Sequence, residues 1–273
     1  MPGTNDVLLG ISKKIRRKIL RMVFNSQSSH IGSCLSAIDI LAVLYFKVLS
    51  IDPRKPRARN RDRFILSKGH ACAALYATLA LRGFFSEKIL DEYCKDGGRL
   101  PGHSTRHCVP GVEVSTGSLG HGLSMAVGMA LAAKYDKLDY RVFALLGDGE
   151  CNEGAVWEAI MFAGNKKLDN LIAIVDYNKI QSFGRVKEIN NLEPFADKWR
   201  SFGWEAREAD GHDVEELARL LNAVPFRPGK PNVLIAHTIK GKGVSFMENE
   251  LKWHYKSPDK KELACALKEI GLR

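Results

Sequence analysis

Residues 141–154 read RVFALLGDGECNEG, and residues 171–182 read LIAIVDYNKIQS. In each, a short apolar run stops abruptly at a polar turn. Such runs, bounded by turn signals, mark strands buried on both faces, the kind found in parallel sheets. Between them, residues 154–166 return to helical spacing. Strand, helix, strand is the unit of a parallel sheet covered by helices. Ligands in such sheets sit beyond the carboxyl ends of the strands, so the polar turns are where function is expected.

The alternation continues outward from this core. Toward the C-terminus come a helical stretch at 192–202, a weaker strand at 205–209, a helix near 213–223, a strand at 232–236 and a closing helix at 259–271. Toward the N-terminus, helical periodicity runs through 6–25, 35–49, 70–82, 86–95 and 121–136. The first belongs to an amphipathic stretch over 1–25, with Ile11, Ile15, Ile19 and Met22 three or four residues apart. No repeat, low-complexity segment or linker interrupts the chain. The expected fold is α/β, a parallel sheet with helices on both faces, in one continuous domain over 1–273. The loops 147–154, 177–182 and 237–243 should share one edge of the sheet.

Composition narrows the function classes. With 273 residues, 45% hydrophobic and 26% charged, the chain has the balance of an ordinary globular protein. No apolar run reaches the roughly 20 residues that span a bilayer. The longest, 38–46, is interrupted by Asp39. Six cysteines lie scattered without a CxxC pair, which points to free thiols in a reducing cytoplasm and away from a disulfide framework or a zinc site. The net charge of +10 concentrates at residues 13–18 and 54–63, without interleaved aromatics or a recognition motif. These clusters read as a solvated helix face and a basic loop, and no nucleic-acid partner is expected. A positive field also attracts phosphorylated metabolites or an acidic partner protein.

Asp148, flanked by two glycines at a strand end, can bring its carboxylate and close backbone to a charged ligand. Mg²⁺ takes about six oxygens at roughly 2.1 Å, with phosphate oxygens often completing the shell. Asp148 supplies one ligand, the Asn178 amide oxygen a second and the Ile180 carbonyl a third. The helix after Gly149 would offer unpaired N–H groups to a diphosphate. Gly-Asp-Gly alone equally suits an Asx turn before a helix. Asn178, one helix and one strand further on and again at a strand end, favours the metal.

The segments GDGECNEGAVWEA (147–159) and LIAIVDYNKIQ (171–181) resemble the thiamine-diphosphate motif of the transketolases. Further blocks resemble that family in its order: SHIGS (29–33), RDRFILSKGHA (61–71), PGH (101–103), VSTGSLG (114–120) and DGHD (210–213). Together they cover about residues 10 to 256.

The resemblance implies that Asp148, Asn178 and the Ile180 carbonyl hold Mg²⁺, or Ca²⁺ or Mn²⁺ in its place, and that the metal grips thiamine diphosphate. It places Gly149 against the diphosphate, Lys240 and His254 near it as positive charges, and Gly117 and Leu119 at the aminopyrimidine ring. His30, His70 and His103 would line the sugar channel as proton carriers, their ordinary pKa lying near neutrality. Ser33 and Lys68 would neighbour the same pocket. Glu153 would act across a subunit interface on the glutamate that activates the cofactor. His107, His237 and Trp157 are expected to be structural, Glu158 to lie on a helix surface, and His212 to belong to a turn and helix cap.

The implied reaction is transfer of a two-carbon ketol unit from a ketose phosphate to an aldose phosphate. Members of the family continue for several hundred residues with a pyrimidine-binding domain and a third domain. Those domains are expected here on a separate chain, in an α₂β₂ assembly with the cofactor between subunits. Alternatives are the α subunit of a 2-oxoacid dehydrogenase decarboxylating component, or a non-catalytic cofactor-binding scaffold. Ser104, His121 and Tyr255 depart from the family's usual residues, and the first two border the expected substrate pocket.

Overall fold

The computed structural model describes residues 4–271. Five strands, β1 (Arg63–Leu66), β2 (Val142–Gly147), β3 (Leu171–Tyr177), β4 (Glu205–Asp210) and β5 (Asn232–His237), form one sheet in the order β1-β2-β3-β5-β4. Every pairing is parallel. The expected α/β class is therefore what the chain adopts. β2 and β3 are buried along their whole length, as their uninterrupted apolar runs require. β4 alternates because it is an edge strand with one solvated side.

Helices cover both faces. One side carries α1 (Thr4–Ser26), α2 (Ile31–Ser36), α3 (Ile38–Val43), α4 (Cys72–Arg82), α9 (Val214–Asn222) and α10 (Lys260–Glu269). The other carries α5 (His121–Tyr135), α6 (Gly154–Asn165) and α8 (Phe195–Ser201), with the short α7 (Val186–Ile189) beside it. Each face has its own apolar core, and alternate strand residues feed one or the other: Phe143 and Leu145 join the first, Ala144 and Leu146 the second. No described helix is long and apolar enough to cross a membrane.

The structure corrects the sequence reading in several places. β1 escaped notice because its apolar core is only three residues long and follows Arg61-Asp62-Arg63. The stretch at 35–49 is not one helix: α2 ends at Ser36, α3 begins at Ile38, and Leu44–Val48 winds into a wider π turn. The stretch at 86–95 holds only a 3₁₀ turn, Glu87–Glu92. Residues 1–3 of the N-terminal amphipathic stretch lie outside the described residues, but Ile15, Ile19 and Met22 are buried as its spacing requires.

The basic cluster of α1 is not a uniformly solvated face. Arg16 turns inward and makes a two-pronged ion pair with the buried Asp39, at 3.0 and 2.7 Å. His212 completes this bracket: its Nδ1 lies 2.8 Å from Asp39 Oδ2, and its Nε2 accepts the Ile239 N–H at 2.8 Å. Burial alone would raise the Asp39 carboxyl, but Arg16 and His212 beside it hold it well below the usual range. Asp213, not His212, caps α9, accepting the N–H groups of Glu215 and Glu216. The polar interruption of the longest apolar run thus ties α1 and α3 to the loop after β4.

Candidate active site

Because β1, β2, β3 and β5 run parallel, their carboxyl ends bring the following loops to one edge. There they enclose a cleft of about 240 Å³. It is lined by Asp148 and Gly149 after β2, by Asn178, Ile180, Gln181 and Ser182 after β3, by Lys68 and His70 after β1, and by His30 and Ser33 at the start of α2. His103, Gly117, Leu119, His254 and Tyr255 complete the wall. Lys240 stands just behind it. Its Nζ lies 3.0 Å from both the Ile180 carbonyl oxygen and His254 Nδ1. Of the residues expected at the site, Glu153 alone is neither in the wall nor directly behind it; it is exposed, beside Gly120.

Two glycines permit the close approach of these loops. A Cβ on Gly69 would stand 2.7 Å from the Thr116 carbonyl carbon and 2.8 Å from the Gly117 nitrogen. The loop bearing His70 can thus lie directly against the one bearing Gly117. A Cβ on Gly149 would come within 2.8 Å of Gln181 Cγ, so the turns after β2 and β3 also meet at a glycine.

The three expected metal ligands converge. Asp148 Oδ1 accepts the Gly149 N–H at 2.7 Å, and Oδ2 accepts the N–H of Lys179. Asn178 Oδ1 accepts the Ile180 N–H at 3.1 Å. These bonds aim the oxygens while leaving lone pairs free. Burial, reinforced by the neighbouring Asp176, pushes the Asp148 carboxyl up to about 6. The regular helix expected directly after Gly149 starts later: a 3₁₀ turn, Gly149–Asn152, comes first and α6 begins at Gly154. The Gly149 N–H is consequently engaged by Asp148.

Four imidazoles form the opposite wall. His30 packs against His70, His103 and His254 with ring centroids 5.2, 5.9 and 5.0 Å apart. His30 has a left-handed backbone (φ 72°), and its N–H donates to the His254 carbonyl at 2.8 Å. Burial, then His103, Lys240 and Lys68, pushes His30 down to about 4. Burial and Lys240 hold His254 at about 3, and His70 lies well below its ordinary value for similar reasons. His254 is therefore a neutral hydrogen-bonding group near pH 7, not the positive charge expected of it. Lys68 and Lys240 are the cations, and burial with the proximity of Lys68 lowers Lys240 to about 8.

Two buried carboxylates were not anticipated. Glu150 accepts from Ser67 Oγ at 2.5 Å, the Gly120 N–H at 3.0 Å and the Gly147 N–H at 3.1 Å, joining the loops after β1, before α5 and at the end of β2. Asp176 accepts from Lys68, Ser36 and Thr238. A signal for the latter was present, since a charged residue closes the apolar run LIAIVD. For Glu150 there was none beyond its place in the turn. Trp157 is partly buried, its indole donating to the Cys151 carbonyl at 2.8 Å, while Glu158 is exposed as expected. His237 pairs with Glu208 at 2.7 Å, away from the cleft.

With this geometry the comparisons with known proteins agree. A family model described as transketolase, thiamine diphosphate binding domain, matches residues 10–273. The chain belongs to the transketolase family. One of the two subunits named for an apulose-4-phosphate transketolase, from Phocaeicola vulgatus, is 44% identical over 96% of this chain and 93% of its own length. A 6-deoxy-6-sulfo-D-fructose transketolase subunit from Clostridium sp. (strain MSTE9) is 46% identical over 88% of this chain and 87% of its own. Human transketolase is 40% identical over 97% of this chain, which spans only 42% of the human protein. Among solved structures, transketolase from Campylobacter jejuni superposes with a TM-score of 0.90 at 32% identity, covering 100% of this chain and 43% of that one. The chain thus carries the thiamine-diphosphate-binding region of a transketolase-type transferase, a family whose reaction is two-carbon ketol transfer. Its relatives of matching length are named as subunits.

Proposed function

We propose that this chain is the diphosphate-binding subunit of a two-subunit transketolase, with an anionic ketose as donor and an aldehyde as acceptor. The observation that carries this reading is the meeting of Asp148, Asn178 and the Ile180 carbonyl with four imidazoles and two buried lysines around one cleft. Among the described residues no three His, Cys, Asp or Glu side chains gather into a metal cage. One carboxylate, one amide oxygen and one carbonyl are instead the sparse donor set that suits Mg²⁺ shared with phosphate oxygens. Lys68 and Lys240 would balance the diphosphate charge, with Gly149 close to it and Gly117 and Leu119 beside the ring system.

When bound, thiamine diphosphate supplies the carbanion-stabilising chemistry that breaking a carbon–carbon bond next to a carbonyl requires. The residues of this chain bind, orient and exchange protons. His30, His70 and His103 stand close enough together to contact one sugar carbonyl and its neighbouring hydroxyls. His30 and His70, uncharged near pH 7, can donate through one nitrogen and accept through the other.

The remaining part of the site we assign to a partner subunit carrying the pyrimidine-binding domain, in an α₂β₂ enzyme. Support comes from the subunit names of the relatives of matching length, and from the fraction of full-length transketolase that the chain spans. Glu153, exposed on the rim, is suitably placed for a partner's carboxylate. All six cysteines are free thiols, which favours the cytoplasm. The donor and acceptor we take to be sugar phosphates or similarly anionic sugars, because the cleft is cationic and two relatives are named for a phosphorylated and a sulfonated sugar.

Calorimetric and thermal-shift titration with thiamine diphosphate and Mg²⁺, with and without the partner subunit, tests this function. A ligand that binds only the folded state adds about 2.7 kcal/mol at 100 times its dissociation constant, so binding is easily registered. Binding that strengthens with the partner, with turnover only in the mixture, is expected. No binding in either case removes the proposed function.

A further inference from the structure

We infer that Asp176 is a positioning residue of this site: its buried carboxylate holds the Lys68 ammonium beside Asp148 and Asn178, leaving one ammonium N–H for an anionic ligand in the cleft. The inference rests on the proposed diphosphate-binding function and adds to it a residue outside the cleft wall.

Asp176 is the charged residue in a strand that is otherwise apolar up to Tyr177, and it lies in register with Gly147, next to Asp148. Its Oδ2 accepts from Lys68 Nζ at 2.5 Å and from Ser36 Oγ at 2.6 Å, while Oδ1 accepts from Thr238 Oγ1. One carboxylate thereby joins the loop after β1, the helix α2, the end of β3 and the loop after β5. Ser36 Oγ in turn lies 3.5 Å from Asn178 Nδ2, a weak link to the amide proposed as a metal ligand.

Lys68 is the informative partner. An ammonium has three donors. One goes to Asp176 and one to the Ser33 carbonyl at 3.2 Å; the third has no acceptor among the described residues, and Lys68 lines the cleft. Both side chains are essentially inaccessible, at 1% and 0% exposure. Burying such a pair is costly, and apolar residues of similar volume would stabilise a core at least as well. Stability alone therefore does not account for it. Placing a charge that faces a ligand does. Without the carboxylate, the Lys68 ammonium would be drawn to Asp148 and would compete with a cation there.

The test is a calorimetric titration of the chain, complexed with its partner subunit, with thiamine diphosphate at fixed Mg²⁺. Asp176→Asn keeps the shape and removes the charge; Lys68→Met removes the ammonium. Each is expected to weaken binding about tenfold or more, as loss of a charge-assisted contact does. The double variant should be no weaker than the worse single one, because the two act as a unit. A merely structural role would lower the melting temperature but leave the affinity of the folded protein unchanged. Wild-type affinity in folded Asp176→Asn, or losses that multiply in the double variant, would overturn the inference. If Asp176→Asn does not fold, Ser36→Ala and Thr238→Val each remove one bond to the carboxylate, and a loss of about threefold is expected in both. Unchanged affinity in both would also overturn it. A wild-type complex that binds no thiamine diphosphate would remove the proposed function itself, an outcome distinct from any of these.

Discussion

Two buried carboxylate–cation pairs stand at opposite ends of the same sheet. At the amino ends of β1 and β2, Asp62 accepts the Ser50 N–H at 2.9 Å, the Arg141 N–H at 2.9 Å and the Arg141 guanidinium at 2.6 Å. Arg141 spends a further donor on the Val48 carbonyl at 2.8 Å. This pair is directed into backbone and closes the loops on which the strands begin. At the carboxyl ends, Asp176 and Lys68 are more deeply buried yet less saturated, with an ammonium donor to spare at the cleft. The same ionic chemistry thus fastens the fold at one end and is held ready for a ligand at the other. Residual hydrogen-bonding capacity, and not charge or burial, distinguishes a working pair from a fastening one.

The largest expected effect tests the working end. Asp148→Ala should abolish Mg²⁺-dependent binding of thiamine diphosphate in calorimetry while the protein stays folded by circular dichroism; unchanged affinity would break the metal assignment. The fastening end should respond in the opposite sense. Asp62→Ala strands a guanidinium and two backbone N–H groups, so chemical denaturation should show a loss of about 3 kcal/mol. Cofactor affinity of the folded variant should be that of the wild type, and a coupled loss of binding would erase the contrast between the two ends.

Acidification sharpens the comparison further. An imidazole held below its unfolded value of 6.5 contributes stability that is present above pH 6.5 and is lost as pH falls toward the folded value, about 4 for His30. His254 and His70 act in the same direction. Asp148, raised to about 6, opposes them over part of that window, but it is one group against three. The melting temperature should therefore fall by several degrees between pH 6.5 and 4. His30→Gln should flatten this slope, and an unaltered slope would mean that His30 does not titrate as its surroundings dictate.

The smallest effect concerns Glu150, which is saturated like Asp62 although it lies at the working end. Glu150→Gln retains the shape but leaves one of the three donors poorly matched. A loss of about 1 kcal/mol in stability is expected, together with a modest, severalfold weakening of cofactor binding through the loop at 117–120. Loss of stability without any change in binding would class Glu150 with the fastening end.

Much of this molecule is legible in the linear sequence, and the exceptions share a cause. β2, β3 and β5 are announced by unbroken apolar runs because both of their faces are covered. The residues at their carboxyl ends were foreseeable by the rule that ligands lie beyond those ends. β1 was missed because three apolar residues are too few for periodicity to register. The bracket of Arg16, Asp39 and His212 was invisible because 23 residues separate the first two and 173 the last two. Local pattern carries no information about such partners.

By itself the sequence determined the α/β class, the family resemblance and the collection of residues at the cleft, since each follows from local periodicity or from motifs only a few residues long. Tertiary structure alone decided which charges face inward, that Lys68 is paired with Asp176, and that three of the four clustered histidines are uncharged near pH 7. Those outcomes depend on desolvation and on distances between residues far apart in the chain. Burial changes the cost of a charge by more than its identity does, and only the folded chain settles what is buried beside what.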